Sequence, residues 1–351
     1  MLLLVVLALA SGAVVRGEIT NACGVLTLNE IVYGGLERQF YLYVPCSIWN
    51  GAQVNIGVFV HGYGSSAKEM LEQFGAQSLA EKHKYIALAP DGYGAQKSWN
   101  GVDCCGEALL EQLDDKGLLG AIISKVTVSL HKFYVINAVV GVGHSNGGFL
   151  VTYAGGDVFD AVVPASGYYY RANSPAPNIP MMVVHSLDDT LVKYIGCCRG
   201  SGCCCDIKTP SCISAMNYAI KVAKANGCDS VLSNAKSVLS VPGKGFCKEF
   251  QGCGENKATT TLCTLTSYGH FPFALAEGKR ENHFSDAAAG FIASARNVRN
   301  LTKAEPADKN LNQSTGPRPL PKFMVLLATV AAVVWCCTAE RERRQRELFR
   351  L

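Results

Sequence analysis

Charge is scarce in this chain. Only 17% of its 351 residues are charged, and the formal net charge is +4. So small an excess argues against a nucleic-acid partner, and much of it sits in the final stretch AERERRQRELFRL, leaving the remainder near neutral. Signatures of a metal site are also missing. The cluster GCCRGSGCCCDIKTPSC has neither paired C-x-x-C spacing nor a histidine, so no metal and no cofactor is expected. No basic residue precedes the opening apolar run MLLLVVLALA, so a secretory signal peptide over 1–17 rests on length, position and the small-residue exit SGAVVRG.

What is abundant is apolar. Half the chain (49%) is hydrophobic, which at this length suits one large α/β domain plus extras. Near the other end, FMVLLATVAAVVWCCTA from Phe323 to Ala339 is an uncharged run of 17 residues, at the short limit for a membrane-spanning helix of roughly 17–25. Five arginines follow it in 340–351, as a cytoplasmic tail would carry, and those charges exclude a lipid-anchor signal that ends in its apolar tail. Cys336 and Cys337 are candidate acylation sites at the inner boundary. Residues 300–322 are polar and proline-rich, read as a disordered stalk, with glycosylation sequons at Asn300 and Asn312. The expected setting is a cell surface or secretory membrane, with residues 18–299 outside or in the lumen.

The remaining fourteen cysteines, an even set in a secreted chain, read as disulfides. Ten of them fall in 195–263, expected to be a cysteine-rich insertion whose bridges are mostly internal. Around it, short buried runs alternate with helical spacing. VNIGVFVHGYG, YIALAPDGYG, FYVINAVVGV, AVVPASG and MMVVHSLDD read as strands. SAKEMLEQFGAQSLAEKHK, LLGAIISKVTVSL and FSDAAAGFIASARNV read as helices. GVLTLNEIVYGGLERQFYLYVP reads as a hairpin turning at Gly34-Gly35. The alternation implies a mostly parallel sheet covered by helices on both faces.

Within that pattern lies YVINAVVGVGHSNGGFLVTYAGG. Gly143, Ser145 and Gly147 satisfy G-x-S-x-G, between a buried strand and a helix start. A serine in so sharp a turn takes an unfavourable backbone, and flanking glycines let the chain close around it. The pattern alone also fits a glycine-rich loop; strand before and helix after point to a nucleophile. Such a serine needs a base and an acid to orient it. After Ser145 the only histidines are His185, His270 and His283. His270, in the loop YGHFPFA after a strand-like run, is preferred: His185 ends a strand before the acid loop, and His283 precedes a helix as a cap or surface residue. Asp188 and Asp189 both lie on the loop after MMVVHS, and spacing does not choose between them.

The motifs VHGYGSS, PDGYG, SWNGVDCCG, DDKGLLGAII, GHSNGG, VVHSLDDTLVKY and YGHFPFA, in this order, resemble secreted polyhydroxybutyrate depolymerase-like and feruloyl esterase-like enzymes. These are α/β-hydrolases of the carbohydrate-esterase type, and the resemblance covers roughly Gly34 to Ala295 apart from the cysteine-rich segment. It implies an α/β-hydrolase fold and a Ser145, His270, Asp189 triad. Asn146 and Tyr63 would donate backbone N–H groups to the oxyanion; Trp99 and Asn100 match a loop near the substrate, and a tryptophan that simply packs in the core fits Trp99 nearly as well. The substrate it implies is an ester, feruloyl or acetyl on polysaccharide, or a polyhydroxyalkanoate. The chain departs from the family's acid motif at Ser186, where glycine is usual, and around the base at Phe271 and Phe273. A catalytically inactive, hydrolase-like binding or adhesion ectodomain is the alternative from another class.

Overall fold

The computed structural model describes residues 14–16, 19, 21–102, 104–170, 176–196, 213–253, 258–273 and 282–297. The expected stalk, spanning helix and tail (300–351), both sequons and most of the signal segment lie outside these residues. Among the described residues no helix is long and apolar enough to cross a membrane.

The chain begins with β1 (Val14–Arg16), antiparallel to β2 (Leu26–Tyr33), which turns into β3 (Leu36–Tyr43). Gly34 and Gly35 both have positive φ (58° and 79°), the conformation a two-residue hairpin turn needs and glycine supplies without strain. There follow β4 (Gln53–Val60), α1 (Ala67–Phe74), α2 (Ala76–His83), β5 (Tyr85–Pro90), α3 (Gly106–Leu110), α4 (Asp115–Leu130), β6 (Val135–His144) and α5 (Asn146–Val158). The chain continues through β7 (Ala161–Ala165), β8 (Met181–Ser186), α6 (Ala215–Ala225), β9 (Lys236–Val241), β10 (Gly245–Glu249), β11 (Thr260–Leu265) and α7 (His283–Ser294). The single helix expected from SAKEMLEQFGAQSLAEKHK is thus two. Gly75 adopts a left-handed conformation (φ 73°) and ends α1, although Met70, Leu71, Phe74 and Leu79 are buried as expected.

One eleven-stranded sheet runs β1-β2-β3-β5-β4-β6-β7-β8-β11-β10-β9. Its middle, from β5 to β11, is parallel; hairpin strands extend both edges antiparallel. This is an α/β-hydrolase arrangement. The parallel strands read as continuous apolar runs because both faces are covered. Ile56, Val58, Ile86, Leu88, Val162, Met181 and Val183 face a core shared with α4, α5 and α6. Phe59, Tyr85, Val140, Val142, Val163 and Val184 face a second core with α1, α2 and α7.

The segment 195–263 is less separate than its cysteine density suggested. Its described part, 213–253 and 258–263, builds α6, β9, β10 and most of β11, and so continues the main sheet. Beta strands 9 and 10 are half-exposed edge strands with few large apolar residues, so they lack the long runs that mark core strands. Both disulfides described within the segment, Cys228–Cys253 and Cys247–Cys263, are internal to it; the latter joins directly opposed residues of β10 and β11. Residues 197–212, with six of its cysteines, lie outside the described residues. Two further bridges are Cys23–Cys46 and the adjacent pair Cys104–Cys105.

The end of α7 is tied down at the amino-terminal ends of the sheet's strands. Asn55 Nδ2, early in β4, donates to the carbonyls of Ile292, Ala293 and Ala295 (2.7, 3.2 and 3.0 Å), and Asn137 Nδ2, early in β6, donates to that of Ala295 (3.1 Å). Carbonyls at a helix's carboxyl end run short of intrahelical donors, and those at the end of α7 gain partners there.

Candidate active site

Strand order reverses at β4, whose neighbours are β5 and β6. In an open α/β sheet a crevice opens at such a switch point, outside the carboxyl ends of the strands. The loop after β4 is HGYG and the turn after β6 is GHSNGG, so the topology brings those two motifs side by side.

Ser145 caps α5 with φ 52° and ψ −118°, a strained backbone for a residue with a Cβ, and keeps 7% of its surface exposed. The turn can be this tight because its glycines have no side chain. A Cβ on Gly143 would lie 2.2 Å from the carbonyl oxygen of Gly147, and one on Gly147 would lie 2.1 Å from that of Val60. The elbow is pinned by its own N–H, which donates to the carbonyl of Ala165 on β7 (2.8 Å).

Asp189 and His270 meet at the ends of β8 and β11. His270 Nδ1 lies 2.9 Å from Asp189 Oδ2 and 3.1 Å from Oδ1. Asp189 Oδ1 also accepts the N–H groups of Leu191 and Val192 (2.9 and 3.0 Å). Burial pushes the Asp189 pKa up, but hydrogen bonds from His185 and His270 and their nearby charge more than reverse this, so the carboxyl sits well below its usual range. It is held ionised, as an imidazole-orienting acid must be. Among the described residues no hydrogen bond joins His270 to Ser145 Oγ; catalytic hydrogen bonds are often long until substrate is bound.

The neighbouring carboxylate, left open by spacing, has its own partner. Asp188 accepts the N–H of Gly269 on both oxygens (3.2 Å each) and a hydrogen bond from Ser186 Oγ. The serine that replaces the usual glycine thus braces Asp188. His185, set aside as a base, is fully buried beside the acid. Its Nε2 lies 2.7 Å from the carbonyl of Val192 and 3.3 Å from Asp189 Oδ2. His283, the other histidine set aside, begins α7 behind its cap Asn282.

The expected oxyanion residues flank the serine. Asn146 is the first residue of α5, where an N–H has no intrahelical acceptor. Tyr63 follows Gly62, and a Cβ on Gly62 would lie 3.2 Å from Ser145 Cβ and 3.0 Å from His144 Nδ1. His61 fixes that loop: its Nδ1 lies 2.7 Å from the carbonyl of Gly62, and its Nε2 accepts the N–H of Gly92 at 2.9 Å. Burial lowers the His61 pKa to about 4, so the ring is neutral, with one nitrogen donating and the other accepting.

Trp99 and Asn100, on the loop implied to lie near the substrate, both make contacts within the fold. Trp99 is fully buried, packs against the His61 ring (5.1 Å) and donates from Nε1 to the His61 carbonyl (3.0 Å). Asn100 is tied to Asp115 Oδ2 through its N–H (2.8 Å) and to the Leu113 carbonyl through Nδ2 (2.8 Å). Asp115 in turn pairs with buried Arg38 at 2.9 Å. Two aromatic residues of the motif loops are exposed, Tyr63 in HGYG and Phe271 beside His144 and His270, at 37% and 44%. Among the described residues no group of three His, Cys, Asp or Glu side chains is placed to hold a metal.

No family model matches this chain, and no curated protein matches it. Solved structures do resemble it, among them the following at low identity. A thermostable esterase is 20% identical, with 48% of each chain covered and a TM-score of 0.36. That likeness spans about half of the other chain's length. The acetyl xylan esterase from Aspergillus awamori is 14% identical over 76% of this chain and 100% of that one (TM-score 0.46). A feruloyl esterase module from Clostridium thermocellum is 10% identical over 79% and 89% (TM-score 0.41).

Proposed function

We propose that this chain is a serine carboxylic-ester hydrolase. The observation that carries the reading is the strained Ser145 elbow at the sheet's switch point, with the Asp189–His270 pair at 2.9 Å on the same edge. In the first half-reaction Ser145 Oγ attacks the ester carbonyl while His270 Nε2 takes its proton. Asp189 holds the Nδ1–H tautomer and stabilises the imidazolium. The oxyanion of the tetrahedral intermediate accepts N–H groups from Asn146 and Tyr63. The intermediate collapses, His270 returns its proton to the departing alkoxide, and the acyl group stays on Ser145. Water then attacks, losing its proton to His270, and the carboxylic acid leaves as Ser145 recovers its hydrogen. The motif resemblance supports feruloyl or acetyl esters of polysaccharide, or polyhydroxyalkanoate, as substrates. The apolar run before Gly17, the disulfides and the run 323–339 support a secreted route with the hydrolase domain held at a membrane.

The test is turnover of a panel of esters by the ectodomain, with fluorophosphonate labelling. Ser145→Ala lowers hydrolysis at least roughly 10³-fold and abolishes labelling with folding intact. A folded wild type that neither labels nor turns over any ester is instead a binding ectodomain.

A further inference from the structure

The residues on either side of Ser145 reach in different directions. His144 lies beside the base loop: its Nε2–H donates to the carbonyl of His270 (2.7 Å), and its ring lies 4.9 Å from the His270 ring and 5.2 Å from that of Phe271. Asn146 lies against the loop 99–104. Its Oδ1 accepts the Trp99 N–H (2.8 Å), and its Nδ2 donates to the carbonyls of Trp99 (3.0 Å) and Cys104 (2.8 Å). Both side chains are buried. Among the described residues neither side chain has another hydrogen-bond partner.

We infer that His144 and Asn146 are positioning residues, each registering a separate loop against the nucleophile between them. This rests on the proposed hydrolase reading and extends it. A base has to sit within a few tenths of an ångström of a productive line to the serine, and a displacement of about 1 Å costs up to roughly 10²-fold in rate. His270 is carried on a loop, which by itself is the least rigid kind of support. Side chains that hold that loop include Asp188 on the Gly269 N–H, Asp189 on the His270 ring, His144 on the His270 carbonyl and Asn282 on the Pro272 carbonyl. Among the described residues, the His144 contact is the one of these that refers the base to the serine's own chain segment. Asn146 does the same for the loop that packs Trp99 under the oxyanion loop, through Trp99 Nε1 and the His61 carbonyl. Burial and the neighbouring His270 lower the His144 pKa to about 3, so near neutral pH it stays an uncharged donor and adds no repulsion when His270 becomes cationic.

Three variants test this. His144→Leu removes the donor at similar bulk; His144→Gln restores one. Asn146→Asp keeps the backbone N–H but sets a carboxylate oxygen against two carbonyls. The expected result is a kcat about 10–100-fold lower in His144→Leu and in Asn146→Asp, with KM within roughly threefold and partial recovery in His144→Gln. Amide hydrogen exchange supplies a readout that overall destabilisation does not mimic. His144→Leu loosens 268–271 and leaves 98–102 as in the wild type, and Asn146→Asp does the reverse. A folded His144→Leu with wild-type kcat overturns the inference, as does equal loosening of both loops in each variant. A wild type that turns over no ester and takes no fluorophosphonate label defeats the hydrolase reading instead; the exchange pattern then still decides whether the two side chains hold their loops.

Discussion

Asp188 holds the N–H of Gly269, the residue just before the base. The carboxylate one position later in the chain meets the ring of the base itself, so two adjacent acids act on one loop, one through its backbone and one through its side chain. Asp189→Asn removes the anion from the Nδ1–H and favours the wrong tautomer, and kcat is expected to fall about 10²–10⁴-fold. Asp188→Asn keeps an acceptor for Gly269 and should cost less than about tenfold. Steady-state kinetics of the two variants on one ester decide it, and a larger loss at Asp188 reverses the assignment.

Gly62 is expected to matter for rate more than for stability. An alanine there would push its methyl toward Ser145 Cβ and His144 Nδ1, at 3.2 and 3.0 Å. Gly62→Ala should lower kcat/KM about 10–100-fold while the melting temperature moves by only a few degrees. Unchanged turnover would mean that the loop after β4 does not serve the oxyanion.

Trp99 should behave as a core residue. Trp99→Phe loses the hydrogen bond to the His61 carbonyl and leaves a small void, at an expected cost of about 1–3 kcal/mol. Denaturant unfolding reads the loss. A raised KM with no loss of stability would instead put the indole in contact with substrate.

Acid should weaken the fold well before the carboxylates titrate. His61 and His144 have folded pKa values lowered to about 4 and about 3, chiefly by burial. In the unfolded chain both titrate near ~6.5. Above that pH neither state binds the proton and their contribution to stability is complete. As pH falls below ~6.5 the unfolded chain takes up protons the folded one refuses, and stability drops by up to about 1.4 kcal/mol per pH unit for each ring until the folded values are reached. Asp189, with a lowered pKa, adds to the loss only below about 4. Melting temperatures between pH 7 and pH 4.5 should therefore fall, and fall less steeply in His144→Gln. A flat profile across that window would contradict the burial of both imidazoles as neutral rings.

The elbow was legible because the sequence changes period there: a β-branched run, a glycine turn, then helical spacing. His270 was legible by elimination among three histidines. The choice between Asp188 and Asp189 was not, since adjacent residues on a turn are aimed by its local dihedrals, and it took the motif resemblance to favour Asp189. The role of Trp99 was open in the sequence for a related reason. The motif fixes the loop but not which way its ring faces, and that is set by His61 and Asn146 from distant parts of the chain. In 213–263 the cysteines drew attention away from α6 and from strands whose edge position leaves them half polar. His144 carried a signal in its place beside the nucleophile, but its partner is a backbone carbonyl 126 residues away, which no side-chain pattern records.

The hydrogen bonds from Asn55 and Asn137 to the end of α7 have a practical consequence. They fix the exit of the hydrolase domain at the amino-terminal ends of β4 and β6, whereas Ser145 stands beyond the carboxyl end of β6. From Asn137 to His144 is roughly 20–25 Å of extended chain. A fragment ending just after Asn297 and coupled through that end to a bead, a sensor chip or a fused tag would hang by the side of the sheet remote from the serine. Its crevice would stay open to a substrate too large to diffuse, such as a fibre or a film.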